Sequence, residues 1–582
     1  MNADEDPFAG DDDAALRYAI ALSLQDAKPS ATAGSPLVID DEDDEDDDLE
    51  KGPSYAPPPQ KPYSKLRAME NVKNKADMKN ATDTAAPTHQ GAFAALGLDR
   101  KRMEEERLAR AAKRKATDDE SSGPLARRVK VERGSDEMLN QFSSRSEPTQ
   151  PDPKGLVFPE GAVRKTWAKG YPRQNDIKIE EVFQKDHLQL AVLSSFQWDD
   201  DWMMSKIDIK KTKIVCIAYA KDEAHKEQMK ANVPRERIRF CFPPMGPFGN
   251  MHSKLQILKF PQYLRVVIPT GNLVPYDWGE TGVMENMLFL IDLPRTDEPK
   301  LGVGKSLFGQ ELCFFLRASG LGDGLIESLT KYDFSAADRY SGTSHTGEDW
   351  RRTGYCGLGR AVQSLDLAAA EVELDYIVTS LGAINEDLVT ALYNATQGDD
   401  GLKEYEKRTI KGAKKKGKKG SEVGHVHDNF RIYFPSQETV FRSRGGKNSG
   451  GTICLQRKWW DAATFPRHMI HDCKNIREGL LMHSKILFAR HLRDGKSCAS
   501  WAYLGSANFS ESAWGRLVKD KTTGQPKMTC RNWECGVIIA VDSSHDLHGL
   551  GGFETKVPVP IMLPSEAYGE TKSKAPWFFL EP

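Results

Sequence analysis

Two stretches of the chain, Pro247–Phe260 (PFGNMHSKLQILKF) and Glu478–His491 (EGLLMHSKILFARH), carry the same tetrapeptide Met-His-Ser-Lys in front of an apolar run. A single His-x-Lys is common by chance in a long chain. Here the surroundings match as well, because each copy leads to a second apolar run, a turn of small residues ending in asparagine, and a third apolar run. Such a repeat predicts two duplicated structural units.

The repeat places the polar residues of the two units in the same order. The aligned residues are His252, Lys254, Asn272 and Glu285 in the first unit, and His483, Lys485, Asn508 and Glu534 in the second. Side chains alternate between the two faces of a strand, so a histidine and a lysine two positions apart point the same way. Two units facing each other across a pseudo-twofold axis would bring both His-x-Lys pairs into one cleft.

Two imidazoles and two ammonium groups in one cleft suit a phosphodiester substrate. The lysines would stabilise negative charge in the transition state, and the asparagines would add neutral donors. One histidine can act as nucleophile and the other as acid and then base, since imidazole titrates near neutral pH. The sequence shows no clustered His/Asp/Glu ligand set, so we expect neither a metal nor another cofactor.

Charge is distributed unevenly along the 582 residues, a length that predicts two or three domains. Residues 1–50 hold 17 acidic and two basic side chains, so with a net charge of -3 the remainder carries +12. A basic body suggests a polyanionic partner, and a solvated surface without a partner is the alternative. Nine cysteines without a C-x-x-C pair, no apolar leader and no membrane-spanning run predict a soluble intracellular protein.

Composition divides the chain into a polar tail and an apolar-rich body. Residues 1–155 are predicted to be mostly disordered, 156–345 to form a first half and 346–582 a second half. The expected fold is α/β, with a mixed β-sheet flanked by helices in each half and the active site at their junction. The Lys-rich run 410–424 is predicted to be a mobile surface loop that could attract phosphate.

Three short tail segments stand out. Residues 11–27 (DDDAALRYAIALSLQDA) form an acidic, amphipathic helical pattern that resembles a ubiquitin-interacting motif; a helix packing on the protein's own body is the alternative. Residues 36–48 (PLVIDDEDDEDDD) resemble a SUMO-interacting motif. The basic clusters within residues 113–130, KRK and RRVK, predict a bipartite nuclear import signal or a basic arm that contacts nucleic acid.

Over about residues 157–582 the chain resembles the phospholipase D superfamily and, within it, the tyrosyl-DNA phosphodiesterase I family of fungal type. The runs RVVIPTGNLVPYDW (265–278) and GSANFSESAWG (505–515) carry the closest similarity. The superfamily signature has an aspartate five positions after each lysine, where this chain has Lys259 and Arg490. Tyrosyl-DNA phosphodiesterases lack that aspartate in the same way.

The resemblance implies a role for each aligned residue. His252 corresponds to the nucleophile that forms a phosphohistidine with a DNA 3′ end, and His483 to the general acid and base. The two lysines and two asparagines correspond to the phosphate cradle, and Glu534 to a glutamate that orients an active-site histidine. Its first-half counterpart in the family is a glutamine. This chain offers Val283, Glu285 and Asn286 nearby, and the internal repeat favours Glu285.

Three further positions match DNA-contacting residues of the family. Phe248 would stack on a base next to the scissile phosphate, with a turn residue in the core as the alternative. Ser380 and Ser443 would hold DNA phosphates.

The implied function is a nuclear, monomeric DNA-repair hydrolase that removes a topoisomerase I tyrosine or another adduct, such as phosphoglycolate, from a DNA 3′ end. Ubiquitin and SUMO would be partners of the tail, and no membrane is involved. The alternatives are an adaptor with an inert hydrolase fold and a phospholipase-type lipid hydrolase.

Overall fold

The computed structural model describes residues 155–246, 249–296, 303–345, 349–409, 419–491, 500–541, 549–568 and 574–579. The three tail segments, Phe248 and residues 410–418 of the Lys-rich run lie outside these residues. The described residues all belong to one compact unit.

Apolar runs rich in Val, Ile, Leu and Phe form the strands, as expected for residues that pack well on a pleated surface. The strands up to residue 294 are β1 Ala162–Thr166, β2 Asp176–Ile177, β3 Leu190–Ser194, β4 Lys213–Ile217, β5 Ile238–Cys241, β6 Asn250–Met251, β7 Gln256–Lys259, β8 Tyr263–Pro269, β9 Met284–Glu285 and β10 Met287–Pro294. The following strands are β11 Tyr340–His345, β12 Val372–Ile377, β13 Phe430–Phe434, β14 Ile470–Asp472, β15 Leu481–Met482, β16 Ile486–His491, β17 Ser500–Gly505, β18 Arg516–Lys519, β19 Pro526–Thr529 and β20 Asn532–Val541.

The two large sheets share one strand order. The first runs β2-β1-β10-β8-β7-β3-β4-β5, and the second runs β11-β20-β17-β16-β12-β13-β14 with β6 added to β20. From β10 to β5 and from β20 to β14 the directions also agree: three antiparallel pairings are followed by two parallel ones. The predicted α/β fold with two similar mixed sheets is therefore confirmed. The half boundaries stay a prediction, and β11 joins the second sheet.

Helices flank the two sheets, and two of them, Leu307–Ala318 and Asp323–Ser328, pack into the core that the sheets share. They are α1 Ile179–Phe183, α2 Asp200–Lys206, α3 Glu223–Ala231, α4 Leu307–Ala318, α5 Asp323–Ser328, α6 Gly354–Ser364, α7 Glu386–Thr396, α8 Leu402–Thr409, α9 Lys419–Asp428, α10 Gln437–Arg442, α11 Arg457–Asp461 and α12 Glu511–Trp514. Short 3₁₀ helices span Leu329–Lys331, Ser335–Arg339, Trp350–Arg352, Gly446–Ser449, Arg467–Met469 and Gly551–Phe553. None of the described helices is both long and apolar enough to cross a membrane.

The end of the Lys-rich run differs from the predicted loop. Residues 419 to 424 belong to α9, whereas the sequence predicts a loop there. The helix is anchored further along by Val426, which is buried in the apolar core of the second half. The high Lys and Gly content concealed this helix because its buried contact follows the basic run.

Side chains on the two faces of each large sheet enter different apolar cores. Val266 and Phe289 of the first sheet face Phe488 and Val537 of the second in one shared core. Their neighbours along the strands point outward to the helices, as Val267 does toward α1 and α2. This two-residue alternation gives four layers, helix, sheet, sheet and helix, and puts the seam between the halves in the middle of the molecule.

Short strands cross that seam. β6, just before His252, pairs with β20 of the second half, and β15, just before His483, pairs with β9 of the first half. Each Met-His-Ser-Lys segment is therefore hydrogen-bonded to the opposite half before it enters its own sheet.

A buried ion pair joins two neighbouring strands of the first sheet on the face that α1 covers. Arg265 on β8 donates to Asp292 on β10 at 2.6 and 2.9 Å, and both side chains are fully buried. Asp292 also accepts the backbone N–H groups of Val157 and Phe158 at 3.0 Å. Asp292→Ala should lower the free energy of unfolding by about 3–5 kcal/mol, because it leaves the guanidinium buried without its carboxylate. Urea denaturation measures this.

The matched control is Glu438→Ala, which removes an ion pair with Arg442 at 2.9 Å whose side chains are 47% and 80% exposed. That substitution should lower the free energy of unfolding by less than about 1 kcal/mol. Equal effects of the two substitutions would contradict the argument.

Candidate active site

His252 lies in the extended segment between β6 and β7 and is 2% exposed. Its backbone N–H donates to the carbonyl of Trp533 at 3.0 Å, which continues the pairing with β20. Its ring nitrogen Nδ1 lies 2.8 Å from Oε2 of Glu534, also on β20. The histidine of the first half is thus held by a carboxylate of the second half.

Glu534 is fully buried and bonded on both oxygens. Oε2 accepts the hydroxyl of Ser506, and Oε1 accepts Nδ2 of Asn532 at 3.0 Å. Burial by itself raises the pKa of this carboxyl, but the charge and hydrogen bond of His252, with help from Lys254 and Ser506, lower the pKa to about 2. Glu534 is therefore an anion at every physiological pH.

His483 occupies the corresponding place between β15 and β16. Its backbone N–H donates to the carbonyl of Glu285 at 2.9 Å, and its Nδ1 lies 3.2 Å from Oδ2 of Asp277. Burial lowers the pKa of His483 to about 4, with the nearby ammonium groups of Lys485 and Lys254 acting in the same direction and Asp277 against them. Asp277 has a lowered pKa, since His483, its hydrogen bonds and Lys485 outweigh burial.

The carboxylate that contacts His483 is Asp277, not the Glu285 that the sequence favoured. The internal repeat favoured Glu285 as the orienting residue, but only the backbone carbonyl of Glu285 is bonded to His483. Its carboxyl lies 3.2 Å from Arg477, and burial raises its pKa to about 7 against the opposing charges of Arg477 and Lys165. Glu285 therefore corresponds to Trp533, whose backbone carbonyl accepts the N–H of His252, and not to Glu534.

Both lysines are buried beside the histidines. Lys254 Nζ donates to the carbonyl of His252 at 2.7 Å, and Lys485 Nζ donates to the carbonyl of His483 and to that of Thr270 at 3.3 Å. Burial, followed by the charge of Lys254, holds the pKa of Lys485 well below its usual value. Two ammonium groups close together in a dry site attract an anion strongly.

The two asparagines have their amide oxygens fixed by backbone donors. Asn272 Oδ1 accepts the N–H of Gln197 at 3.4 Å, and Asn508 Oδ1 accepts the N–H groups of Thr379 and Ser380 at 3.3 and 3.1 Å. Fixing the oxygen orients each amide nitrogen, which is a donor, away from those backbone groups.

The three expected DNA contacts have different outcomes. Ser380 adjoins Asn508, and within the described residues its buried hydroxyl has no hydrogen-bond partner, as suits a group that binds a ligand. The Ser443 hydroxyl donates to the carbonyl of Val440 at 2.7 Å and lies 3.1 Å from the hydroxyl of Ser449, so it is engaged within its own loop. Phe248 lies outside the described residues.

Sequence reasoning missed Asp277, Ser506, Asn532 and Phe196. The ring of Phe196 lies 5.4 Å from that of His252, centroid to centroid, and is tilted against it. Ser506 could have been found, since it precedes Asn508 in the second-half motif. Asp277 aligns with Ala513 of the second half, since the segment 272–279 (NLVPYDWG) matches 508–515 (NFSESAWG), so the repeat has no second carboxylate there that would have drawn attention to it. In the described part of the chain, no group of three or more His, Cys, Asp and Glu side chains is arranged to hold a metal ion.

The fold and the site together define a class of α/β protein in which two similar halves share one buried site containing two His–Lys pairs. A family model described as tyrosyl-DNA phosphodiesterase matches residues 162–569, most of the chain. The chain belongs to the tyrosyl-DNA phosphodiesterase family.

Individual relatives share only about a quarter of their aligned residues with this chain. A tyrosyl-DNA phosphodiesterase 1 of Arabidopsis thaliana is 25% identical over 388 residues, covering 62% of this chain and 58% of the relative. A probable tyrosyl-DNA phosphodiesterase of Caenorhabditis elegans is 25% identical over 321 residues, covering 52% of this chain and 64% of the relative. The chain thus spans less than two thirds of the length of these relatives.

Among solved structures, a variant of the yeast tyrosyl-DNA phosphodiesterase superposes with a TM-score of 0.51 at 18% identity, covering 72% of this chain and all of that one. At this identity the likeness shows the fold.

The two buried glutamates should give opposite pH dependences of stability. A carboxyl whose pKa falls from 4.5 to about 2 on folding stabilises the protein above pH 4.5, and this is lost as the pH falls toward 2. Glu534→Gln should therefore lower the free energy of unfolding at neutral pH by on the order of 3 kcal/mol. The deficit should shrink below pH 4.5 in urea titrations.

Glu285→Gln is the matched control, because its carboxyl has a pKa raised to about 7. That group favours folding below pH 4.5, and the contribution is lost as the pH rises through 7. The variant should equal wild type in acid and be more stable than wild type above pH 7. If the free energy of unfolding depended on pH in the same way for both variants, the argument would be wrong.

Proposed function

We propose that this protein hydrolyses the phosphodiester bond between a DNA 3′ end and a tyrosine of topoisomerase I, leaving a 3′-phosphate. The observation that carries the proposal is the pair of buried histidines, each fixed through Nδ1 by a carboxylate from the opposite half, with two buried lysines beside them. Membership of the tyrosyl-DNA phosphodiesterase family supports this substrate.

In the first step His252 attacks the phosphorus atom. Its Nδ1 is bonded to Glu534, so Nε2 is the attacking nitrogen, and the carboxylate stabilises the positive charge that the ring acquires. A P–N bond forms and the bond from phosphorus to the tyrosine oxygen breaks. The electron pair leaves on the phenolate, which takes a proton from His483.

In the second step water attacks the phosphohistidine. His483, now neutral, accepts a proton from the water, the P–N bond breaks, and its electron pair returns to His252. His483 must be protonated before each cycle although burial lowers its pKa to about 4. A bound phosphodiester places negative charge beside the lysines, which offsets their effect and raises the pKa of His483.

Lys254, Lys485, Asn272 and Asn508 would hold the non-bridging phosphate oxygens. The lysines are positioned in advance by backbone carbonyls and the asparagines by backbone N–H groups, so little reorganisation is needed as charge develops. Ser380, with its unpartnered hydroxyl, would bind the adjoining DNA phosphate, and Ser443 and Phe248 would contact the strand further along.

The tail would determine where the enzyme acts. Residues 113–130 would direct it to the nucleus, and residues 11–27 and 36–48 would bind ubiquitin and SUMO on modified topoisomerase. We further propose that the protein acts as a monomer, without a metal or other cofactor, on tyrosine and other 3′ adducts. A lipid hydrolase is disfavoured because Lys259 and Arg490 replace the superfamily aspartates, and a lipid-headgroup release assay tests it.

A first experiment uses an oligonucleotide with a 3′-phosphotyrosine and a chelator in the buffer. Wild type should convert it to a 3′-phosphate, and His252→Ala should reduce the rate at least about 10³-fold because the nucleophile is lost. A denaturing gel separates the two products.

His187→Ala, at an exposed histidine of the same half, is the control and should retain the wild-type rate. No conversion by wild type, or equal loss in both variants, would refute the proposed function.

A second experiment separates the tail from the chemistry. Deletion of residues 1–50 should leave the rate on this naked oligonucleotide unchanged while reducing recruitment to trapped topoisomerase in cells. A large loss of activity on the oligonucleotide would instead assign the tail to the catalytic unit.

A further inference from the structure

The two half-sites are not equivalent in how their histidines are held. Met251 pairs with Trp533, and the next residues are His252 and Glu534; Met482 pairs with Glu285, and the next residues are His483 and Asn286. By strand register, the first-half equivalent of Glu534 is therefore Asn286, a neutral residue.

The hydrogen bonds around these two residues match as well. Glu534 accepts the hydroxyl of Ser506, two residues before Asn508, and Asn286 Oδ1 accepts the hydroxyl of Thr270 at 2.9 Å, two residues before Asn272. Asn286 thus occupies the position of the second-half carboxylate without its charge, and the carboxylate on His483 comes from elsewhere.

Asp277 supplies the carboxylate that contacts His483, and it lies in the turn that follows Asn272. Its Oδ2 accepts the N–H of Asn272 at 2.6 Å, and its Oδ1 lies 3.2 Å from Nδ2 of Asn286. The indole of Trp278 closes the turn by donating to the carbonyl of Asn272 at 3.1 Å. Gly279 follows with φ +73°, where a Cβ would lie 1.6 Å from the carbonyl oxygen of Trp167, so only glycine fits.

We propose, on the basis of the function proposed above, that Asp277 is the positioning residue of His483 and that Asn286 holds it in place. Asp277 fixes Nδ1 as the protonated nitrogen, so Nε2 is the one that exchanges protons with the leaving tyrosine and then with water. The charged groups facing His483 are Asp277 from this turn, Lys485 from its own segment and Lys254 from the other half. Asp277 is the anion among them.

This assignment predicts which steps depend on Asp277. Loss of its charge should impair protonation of the leaving group and activation of water, both of which use His483. Loss of Glu534 should impair attack, which uses His252. The two carboxylates therefore act on different steps even though both contact an imidazole Nδ1.

The test compares Asp277→Asn with Glu534→Gln on an oligonucleotide 3′-(4-nitrophenyl) phosphate, whose leaving group departs without a proton. Asp277→Asn should release one nitrophenolate per enzyme in a rapid burst, then turn over about 10²-fold more slowly than wild type. A covalent protein–DNA adduct should accumulate on a denaturing gel. Glu534→Gln should show a slow first turnover and no adduct.

Asp472→Asn, at a buried aspartate bonded to Ser436 and Thr439, is the control for loss of a buried charge and should behave as wild type. Asp277→Asn without burst or adduct, while wild type is active, would overturn the assignment of Asp277 and leave the proposed function intact.

A readout on the free protein does not depend on the substrate. With ¹⁵N-labelled histidine, the His483 ring should show a protonated Nδ1 in wild type and a shift toward the other tautomer in Asp277→Asn. An unchanged His483 spectrum would refute the positioning role. Inactivity of wild type on both oligonucleotides would refute the proposed function.

Discussion

The exchange of short strands across the seam between the halves is the constraint on which the site depends. β6 pairs with β20 and β15 pairs with β9, so the backbone N–H of each active-site histidine is bonded to the half that does not contain it. Each histidine then receives its carboxylate from that same opposite half. A half folded alone would expose these backbone groups and leave Glu534 without its imidazole, so the site exists only in the assembled pair.

The charges at this seam are stable because they are mutually compensating. Lys254, Lys485, Asp277 and Glu534 are all buried, and an isolated buried charge is strongly unfavourable. The two lysines and two carboxylates interact with one another, and backbone carbonyls and N–H groups add further hydrogen bonds. The same arrangement is ready for a phosphate, because each group is held in place before the substrate arrives.

Most of the site follows the two-fold repeat of the chain, but the carboxylate partners of the two histidines do not. Strand order, both His–Lys pairs, both asparagines and the hydroxyls of Thr270 and Ser506 follow the repeat. Asn286 breaks it, and Asp277 restores the charge from a turn in which the second half has Ala513 at the matching position. The two histidines therefore lie in chemically different surroundings, one beside Glu534 and the other beside Asp277.

The sequence by itself determined the duplicated α/β architecture and the residues that converge, because apolar periodicity and repeated motifs are local features of the chain. Its composition also predicts a polar tail in front of the body. Tertiary structure decided which carboxylate meets which histidine: Asp277 instead of Glu285 lies on His483, and Glu534 crosses to His252. Strand register across the seam fixes these contacts, and register between distant segments depends on packing of both sheets, which no single stretch of sequence encodes.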